Sequence, residues 1–247
     1  MRILIINPNT SEDFTRKIAE SVQTYAKTSS EVVTMTAVSG PRSIECVYDE
    51  LLSAQGTLEV FLSQKDQFDG FIFACYSDHP VVYAAREITG KPAMGIAEAS
   101  MHMACLLGHR FSVVTTNDEW EPLLWDAARH YGLESRCASI RTTGLPVLAL
   151  EEKSDGEVQS LIEKAARLAV EEDGAEVICL GCAGMTGLDK RLEKTLGVPV
   201  LDGVVCALKI MEGLIAYGAQ TSKVRTYSRP QEKELVDLKD IFREGYR

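Results

Sequence analysis

Two cysteines end apolar runs, where a folded chain can put a thiol to work. The runs are Phe71-Ile72-Phe73-Ala74-Cys75 and Val177-Ile178-Cys179-Leu180-Gly181-Cys182. Each is followed at once by small, turn-forming or helix-starting residues: Tyr76-Ser77-Asp78-His79-Pro80 after the first, Ala183-Gly184 after the second. A continuous apolar run of this length in an α/β chain reads as a strand buried on both faces. Its last residue then emerges at the edge where open parallel sheets bind ligands. A helix start just beyond would favour thiolate over thiol through its unpaired amides and dipole. A thiol with a reference pKa of about 8.5 needs only a modest shift to act as a base near neutral pH. Two such thiols, about a hundred residues apart on similar units, can address one substrate from opposite sides. That arrangement suits moving a proton across a carbon. From position alone, burial as a small hydrophobe is the competing reading of each.

The remaining candidates are weaker. Cys46, Cys105, Cys137 and Cys206 read as small core residues. Cys179 forms C-x-x-C with Cys182, but a redox pair belongs on a turn opening a helix, and Cys179 lies inside a strand. His79 would need to fold back on Cys75 and find an oxyanion hole to make a nucleophilic pair, so a local role at the helix start is preferred. His102, His109 and His130 have no metal-ligand spacing with cysteines or carboxylates. Gly181, Gly184 and Gly187 do not form a dinucleotide fingerprint, because the cysteine occupies the turn. No cofactor and no metal are expected.

The elements that must position the thiols alternate. Strand 3–6 runs into Asn7-Pro8-Asn9-Thr10-Ser11, where Thr10 or Ser11 can cap a helix from about Glu12. Strand 32–38 and the breaker Ser39-Gly40-Pro41-Arg42 precede a helix over about 45–63, with residues 39–47 expected as a mobile cleft wall. Strand 68–74 carries Cys75; Pro80 opens the next helix, with Ser77 or Asp78 as its cap. A short strand at 93–96 leads into a helix near Ala97, where the first lobe, 1–96, is expected to end. The second lobe, 97–204, opens with strand 110–116, and Asn117-Asp118 would cap the helix that follows. Strand 136–141, an apolar connection over 142–150 that could serve as a lid or a cleft wall, and a helix over 155–172 lead to strand 176–181. Beyond lie a helix to Leu196, strand 198–201 and a helix from Asp202-Gly203 to Tyr217. Residues from about 205 to 247 are expected to pack back on the first lobe or tether a neighbouring subunit. Such alternation gives a parallel-sheet α/β architecture. A polar strand-end loop early in each half and a strand-end cysteine later hint at internal duplication.

With 247 residues, 45% hydrophobic and 25% charged, the chain can bury a sizeable core. A formal net charge of -10 argues against nucleic acid or an anionic membrane as partner. Residues 1–8 are too short an apolar run for a signal peptide or membrane span. Seven cysteines without disulfide-like spacing fit a reducing compartment, so a cytoplasmic location is expected.

Taken together, these residues resemble the aspartate/glutamate/hydantoin racemase superfamily, and most closely its hydantoin and allantoin racemase branch. The resemblance runs nearly end to end. It includes Ile6-Asn7-Pro8-Asn9-Thr10-Ser11, Ser43-Ile44-Glu45, Ala74-Cys75, Ala84-Ala85-Arg86-Glu87, Gly95-Ile96-Ala97-Glu98-Ala99, Phe111-Ser112-Val113-Val114-Thr115-Thr116, Leu145-Pro146-Val147-Leu148, Leu180-Gly181-Cys182-Ala183-Gly184-Met185 and Val198-Pro199-Val200-Leu201-Asp202-Gly203. It implies two Rossmann-like lobes related by pseudo-twofold symmetry, an active site in the cleft between them and no cofactor. It also implies that Cys75 and Cys182 are the acid/base thiols. Asn9, Thr10, Ser43, Ile44, Thr115, Thr116 and Gly181 follow as substrate contacts. Ser77 joins them because many bacterial members follow the first cysteine with Phe-Gly-Asp-Pro-Gly, whereas Tyr76-Ser77-Asp78-His79-Pro80 adds a hydroxyl close to the site. Backbone amides near Ser77 and Gly181 are expected to stabilise a developing enolate. The implied reaction is cofactor-independent racemisation at C5 of a hydantoin, with a homo-oligomeric enzyme and a small-molecule substrate. On the same fold, the alternatives are a racemase, decarboxylase or cis-trans isomerase of an acyclic acid such as aspartate, glutamate or maleate. A two-lobed binding protein with inert cysteines is the reading from another class.

Overall fold

The computed structural model describes residues 1–152 and 155–247. Four strands, β1 (Arg2–Asn7), β2 (Glu31–Thr36), β3 (Gly70–Phe73) and β4 (Ala93–Gly95), alternate with helices α1 (Glu12–Tyr25), α2 (Val47–Gln64) and α3 (Pro80–Ile88). They form an all-parallel sheet of order β2-β1-β3-β4. After α4 (Ile96–Leu107) the pattern repeats. Strands β5 (Phe111–Thr115), β6 (Cys137–Thr142), β7 (Val177–Leu180) and β8 (Val200–Asp202) alternate with α5 (Trp120–His130), α6 (Ala149–Glu152), α7 (Asp155–Glu171) and α8 (Asp189–Leu196). The second sheet has order β6-β5-β7-β8, the first order repeated strand for strand. Helix α9 (Gly203–Tyr217) follows β8. Two parallel α/β lobes with one topology are what internal duplication produces.

The inner strands carry no polar face because helices cover both sides: β3 and β7 are buried at every position. One ladder rung is repeated beyond each of them. The Ala74 N–H donates to the Ile6 carbonyl at 2.8 Å, and the Gly181 N–H donates to the Val114 carbonyl at 2.7 Å. Each rung holds the residue just before a terminal cysteine, so the two thiols leave equivalent positions. The lobes share apolar core: Ile72 and Met94 of the first sheet and Val113 of the second belong to one cluster with Met101 of α4 and Met211 of α9. The C-terminal stretch lies against the first lobe, where the Thr221 N–H donates to the Gly90 carbonyl at 2.8 Å and Phe242 packs on the cluster containing Phe61 and Phe71. Among the described residues, no helix is long and apolar enough to cross a membrane.

Two helix caps differ from the sequence reading. Ser11 does cap α1, its hydroxyl accepting from the Phe14 N–H at 3.2 Å. For α3, however, the cap is His79 rather than Ser77 or Asp78. Pro80 at the first helical position holds the preceding residue extended, at φ -65° and ψ 127°. For α5 the cap position is Glu119 and carries no side-chain bond, because Asn117 and Asp118 form a turn whose carbonyls accept from the Trp120 and Glu121 N–H groups.

His79 is almost fully buried. Its Nδ1 accepts from the Val81 N–H at 3.3 Å, which leaves Nε2–H to donate to Ser53 Oγ at 3.0 Å, while that hydroxyl donates to the Glu50 carbonyl at 2.7 Å. This network requires neutral imidazole, and burial lowers the His79 pKa to about 4. Because the folded value lies below the unfolded one of about 6.5, the unfolded chain binds the proton first as pH falls. The associated stability is complete above pH 6.5 and is lost as pH drops through 4, about 3 kcal/mol in all. In urea titrations between pH 7.5 and 4.5, wild type should therefore lose more stability than His79→Asn. Equal pH slopes for the two proteins would contradict the assignment.

Candidate active site

Cys75 and Cys182 border one narrow cleft at the C-terminal edges of the two sheets, with a cavity of about 40 Å³. Ala74 and Tyr76 flank Cys75; Gly181, Ala183 and Gly184 flank Cys182. Asn9 and Phe14 enter from the β1–α1 segment, Ile44 from the loop before α2, and Thr116, Trp120 and Val147 from the second lobe. Among the described residues, no Lys or Arg lines this cleft.

The wall is tied across the lobes. Ser11 Oγ donates to Glu151, Arg42 pairs with the other oxygen of Glu151 at 3.5 Å, and Lys17 Nζ donates to the Leu150 carbonyl at 3.0 Å. On the other side Asn117 Nδ2 donates to the Glu45 carbonyl at 3.0 Å. The 142–150 connection thus does form a cleft wall, with Leu145, Val147 and Leu150 buried.

Of the residues the sequence singled out, Asn9, Ile44, Cys75, Thr116, Gly181 and Cys182 come together here. Asn9 Oδ1 already accepts from Asn7 Nδ2 and from the Ser11 N–H, both at 2.9 Å, so its amide nitrogen is the group available to a ligand. Three others stand behind the lining. Thr10 donates through both its N–H and its hydroxyl to the Pro41 carbonyl, clamping two loops together. Ser43 Oγ donates to Glu45 at 2.8 Å. Thr115 is buried, and its hydroxyl donates to the Gly181 carbonyl at 2.8 Å, fixing the peptide that precedes Cys182. Ser77 is buried beside Cys75 with its hydroxyl donating to Glu50. The Gly181 N–H itself is held in the β5–β7 ladder, so it is not the amide in this stretch that is open to an enolate. Glycine is needed there for space, since a Cβ would lie 2.7 Å from the Val113 side chain and 2.9 Å from the Val114 carbonyl.

The thiols themselves differ from expectation. Four residues separate Cys75 from Pro80 of α3, and His79 occupies the cap, so no helix start reaches that thiol. Cys182 opens only a single 3-10 turn, Ala183–Met185, and accepts one N–H, from Gly184 at 3.4 Å. Burial dominates at both. It pushes Cys182 up to about 11, opposed by the Gly184 amide and by Lys17. Cys75 is driven well above the ordinary thiol range, by burial first and then by the Glu50 carboxylate; the Ser77 hydroxyl opposes this, and a charge on Cys182 adds to it. Both are therefore thiols at rest near neutral pH, and Cys182 is the first to ionise.

Phe14, Tyr76, Trp120, Val147 and Glu50 were not among the sequence candidates. The four apolar or aromatic residues carry no polar signal, and Glu50 meets Ser77 only through a contact 27 residues distant. Among the described residues, no group of three His, Cys, Asp or Glu side chains could hold a metal ion.

Two parallel-sheet lobes that each deliver a thiol to one cleft match a known family. The Asp/Glu/Hydantoin racemase model aligns with residues 3–211, and the chain belongs to that family. It is an isomerase of the racemase type. A hydantoin racemase of Pseudomonas sp. (strain NS671) is 42% identical over 243 residues, 98% of this chain and 97% of that one. Among solved structures, an allantoin racemase from Klebsiella pneumoniae has a TM-score of 0.91 at 39% identity, covering 96% of each chain. An allantoin racemase from Pseudomonas fluorescens has a TM-score of 0.92 at 41% identity, covering 96% of this chain and 100% of that one.

Proposed function

We propose that this enzyme racemises 5-substituted hydantoins, allantoin or a 5-alkyl or 5-aryl ring, by proton transfer between Cys182 and Cys75. The observation that carries the reading is the pair of thiols, one from each lobe, facing a cleft with no cationic lining residue. A neutral ring needs no anion clamp, whereas an acyclic dicarboxylate does, and Arg42, the one basic residue in the wall loops, is engaged by Glu151.

In a hydantoin the C5 hydrogen lies beside a ring carbonyl, so its removal gives an enolate-like anion. Cys182, the more easily ionised thiol, takes the proton as thiolate. Cys75, held protonated first by its burial, delivers its own proton to the opposite face. The other enantiomer is served by the same pair with protonation states exchanged. The Asn9 amide is the side-chain donor placed to stabilise negative charge on the enolate oxygen. The aromatic and aliphatic lining, Phe14, Trp120 and Val147, gives the ring substituent an apolar bed.

The test is a chiral assay of the purified protein against single enantiomers of allantoin, 5-methylhydantoin and 5-benzylhydantoin, beside aspartate, glutamate and maleate. Loss of optical signal from at least one hydantoin, with the acyclic acids unchanged, is expected. Turnover of an acyclic acid and of no hydantoin would overturn the reading.

A further inference from the structure

Beside Cys75 stands a hydrogen-bonded pair, Ser77 and Glu50, that reaches from the thiol side toward a second cavity. Ser77 is 2% exposed, and its hydroxyl donates to Glu50 Oε1 at 2.5 Å. The same hydroxyl also stabilises a thiolate at Cys75. Its single proton can therefore turn from the carboxylate to the sulfur when Cys75 ionises. Glu50 and Ser77 border a second cavity, about 250 Å³, together with Asp78, Asp126 and His130. Trp120 lines both this cavity and the thiol cleft.

We infer that Glu50 and Ser77 form a proton relay that returns a proton to Cys75 from the second cavity between turnovers. The inference rests on the two-thiol reading. When Cys182 has taken a proton from C5 and Cys75 has given one up, each thiol ends in the state its partner began in. Before the same enantiomer can react again, Cys75 must regain a proton and Cys182 must lose one. In the relay the Glu50 carboxyl proton passes to Ser77 Oγ as the Ser77 proton passes to Cys75 Sγ. Cys75 is then a thiol, Ser77 an intact hydroxyl and Glu50 a carboxylate. Water in the second cavity restores the proton on Glu50, while the proton on Cys182 leaves through the emptied cleft.

The charges around Glu50 fit this duty. Asp78 and Cys75 face it from the β3–α3 segment, Asp126 and His130 from α5. Burial, reinforced by Asp78, raises the Glu50 pKa, which moves the carboxyl toward holding a proton to donate; the Ser77 bond opposes the shift. Once it has donated, the Glu50 carboxylate disfavours renewed ionisation of Cys75, so the transfer is self-locking. Glu50 touches no reacting atom. It is a positioning and supply residue whose effect falls on the reset.

The test uses the full chain with 5-benzylhydantoin, started from each enantiomer, comparing wild type with Glu50→Gln, Glu50→Asp, Ser77→Ala and Cys75→Ser. Reset follows product release, so Glu50→Gln and Ser77→Ala should lower kcat about tenfold or more while kcat/KM stays within about threefold. Glu50→Asp, which keeps the carboxyl, should recover most of kcat. An unchanged kcat in Glu50→Gln, or a parallel fall in kcat and kcat/KM that Glu50→Asp does not repair, overturns the relay. Cys75→Ser separates the two levels. If it is inactive while Glu50→Gln is normal, the relay alone fails; if it racemises at the wild-type rate, or wild type turns over no hydantoin, the thiol reading fails too. Should Glu50→Gln not fold, Ser77→Ala decides by the same kcat criterion, because it removes a single oxygen.

Discussion

Cys75→Ser and Cys182→Ser should each lower racemisation of a hydantoin by about 10³-fold, the scale of a lost general acid or base. Serine has nearly the volume of cysteine, so each variant should fold, as far-ultraviolet circular dichroism will show. Its hydroxyl, however, neither ionises in a buried cleft nor yields a proton as a thiol does. The two variants should not be alike in every respect. Cys75→Ser keeps Cys182, the thiol that ionises first. It should still remove and return the C5 proton of one enantiomer, so solvent hydrogen exchanges there without inversion. Cys182→Ser leaves only the thiol whose ionisation burial and Glu50 both oppose, and its exchange should be slower. Wild-type racemisation by either variant would remove the two-thiol mechanism.

The second large effect is on pH. The free enzyme must ionise Cys182, whose pKa is about 11, while Cys75 stays protonated because its own value is higher still. Below pH 11 each added pH unit raises the reactive fraction about tenfold, so kcat/KM should climb with a slope of about one in logarithmic units from pH 7 to 10. Alkylation of Cys182 by iodoacetamide, followed in Cys75→Ser by peptide mass analysis, should climb along the same line. A flat profile between pH 7 and 9 in both experiments would mean that the thiolate is already formed at neutral pH.

The framework and the two thiols were legible in the sequence because they depend on local pattern. Buried parallel strands are written as apolar runs, and Cys75 and Cys182 stand at the ends of two of them, so their edge position followed without tertiary information. Residues whose role depends on distant contacts were not legible. Thr115 reads as a strand-end hydroxyl open to substrate, yet its partner is the Gly181 carbonyl, 66 residues away. Thr10 likewise reads as a contact and instead holds Pro41. The acidity of the thiols was misjudged for the same reason: a helix start after each cysteine was expected from the sequence, but burial and the Glu50 carboxylate, 25 residues from Cys75, come from the tertiary fold. The α3 cap shows a gentler version, where Pro80 shifts the cap to the one residue it holds extended. In each case short-range geometry was readable, and contacts made by residues distant in sequence were not.

In the sequence Ser77 reads as a hydroxyl close to the ring, whereas in the fold that hydroxyl donates to Glu50. Its influence is therefore expected on the protonation of Cys75 more than on the fit of the ring substituent.

The most direct test of the two-thiol racemase is a reaction in deuterated water started from a single enantiomer of 5-benzylhydantoin, with recovered substrate and product separated on a chiral column and analysed by mass. In the first tenth or so of conversion, the product enantiomer should carry one deuterium at C5 while the remaining substrate stays protiated, from either starting hand and after subtraction of the buffer rate. That asymmetry is the mark of one group taking the proton and another supplying it. Product without deuterium, or deuterium entering substrate and product equally from the start, would contradict the account.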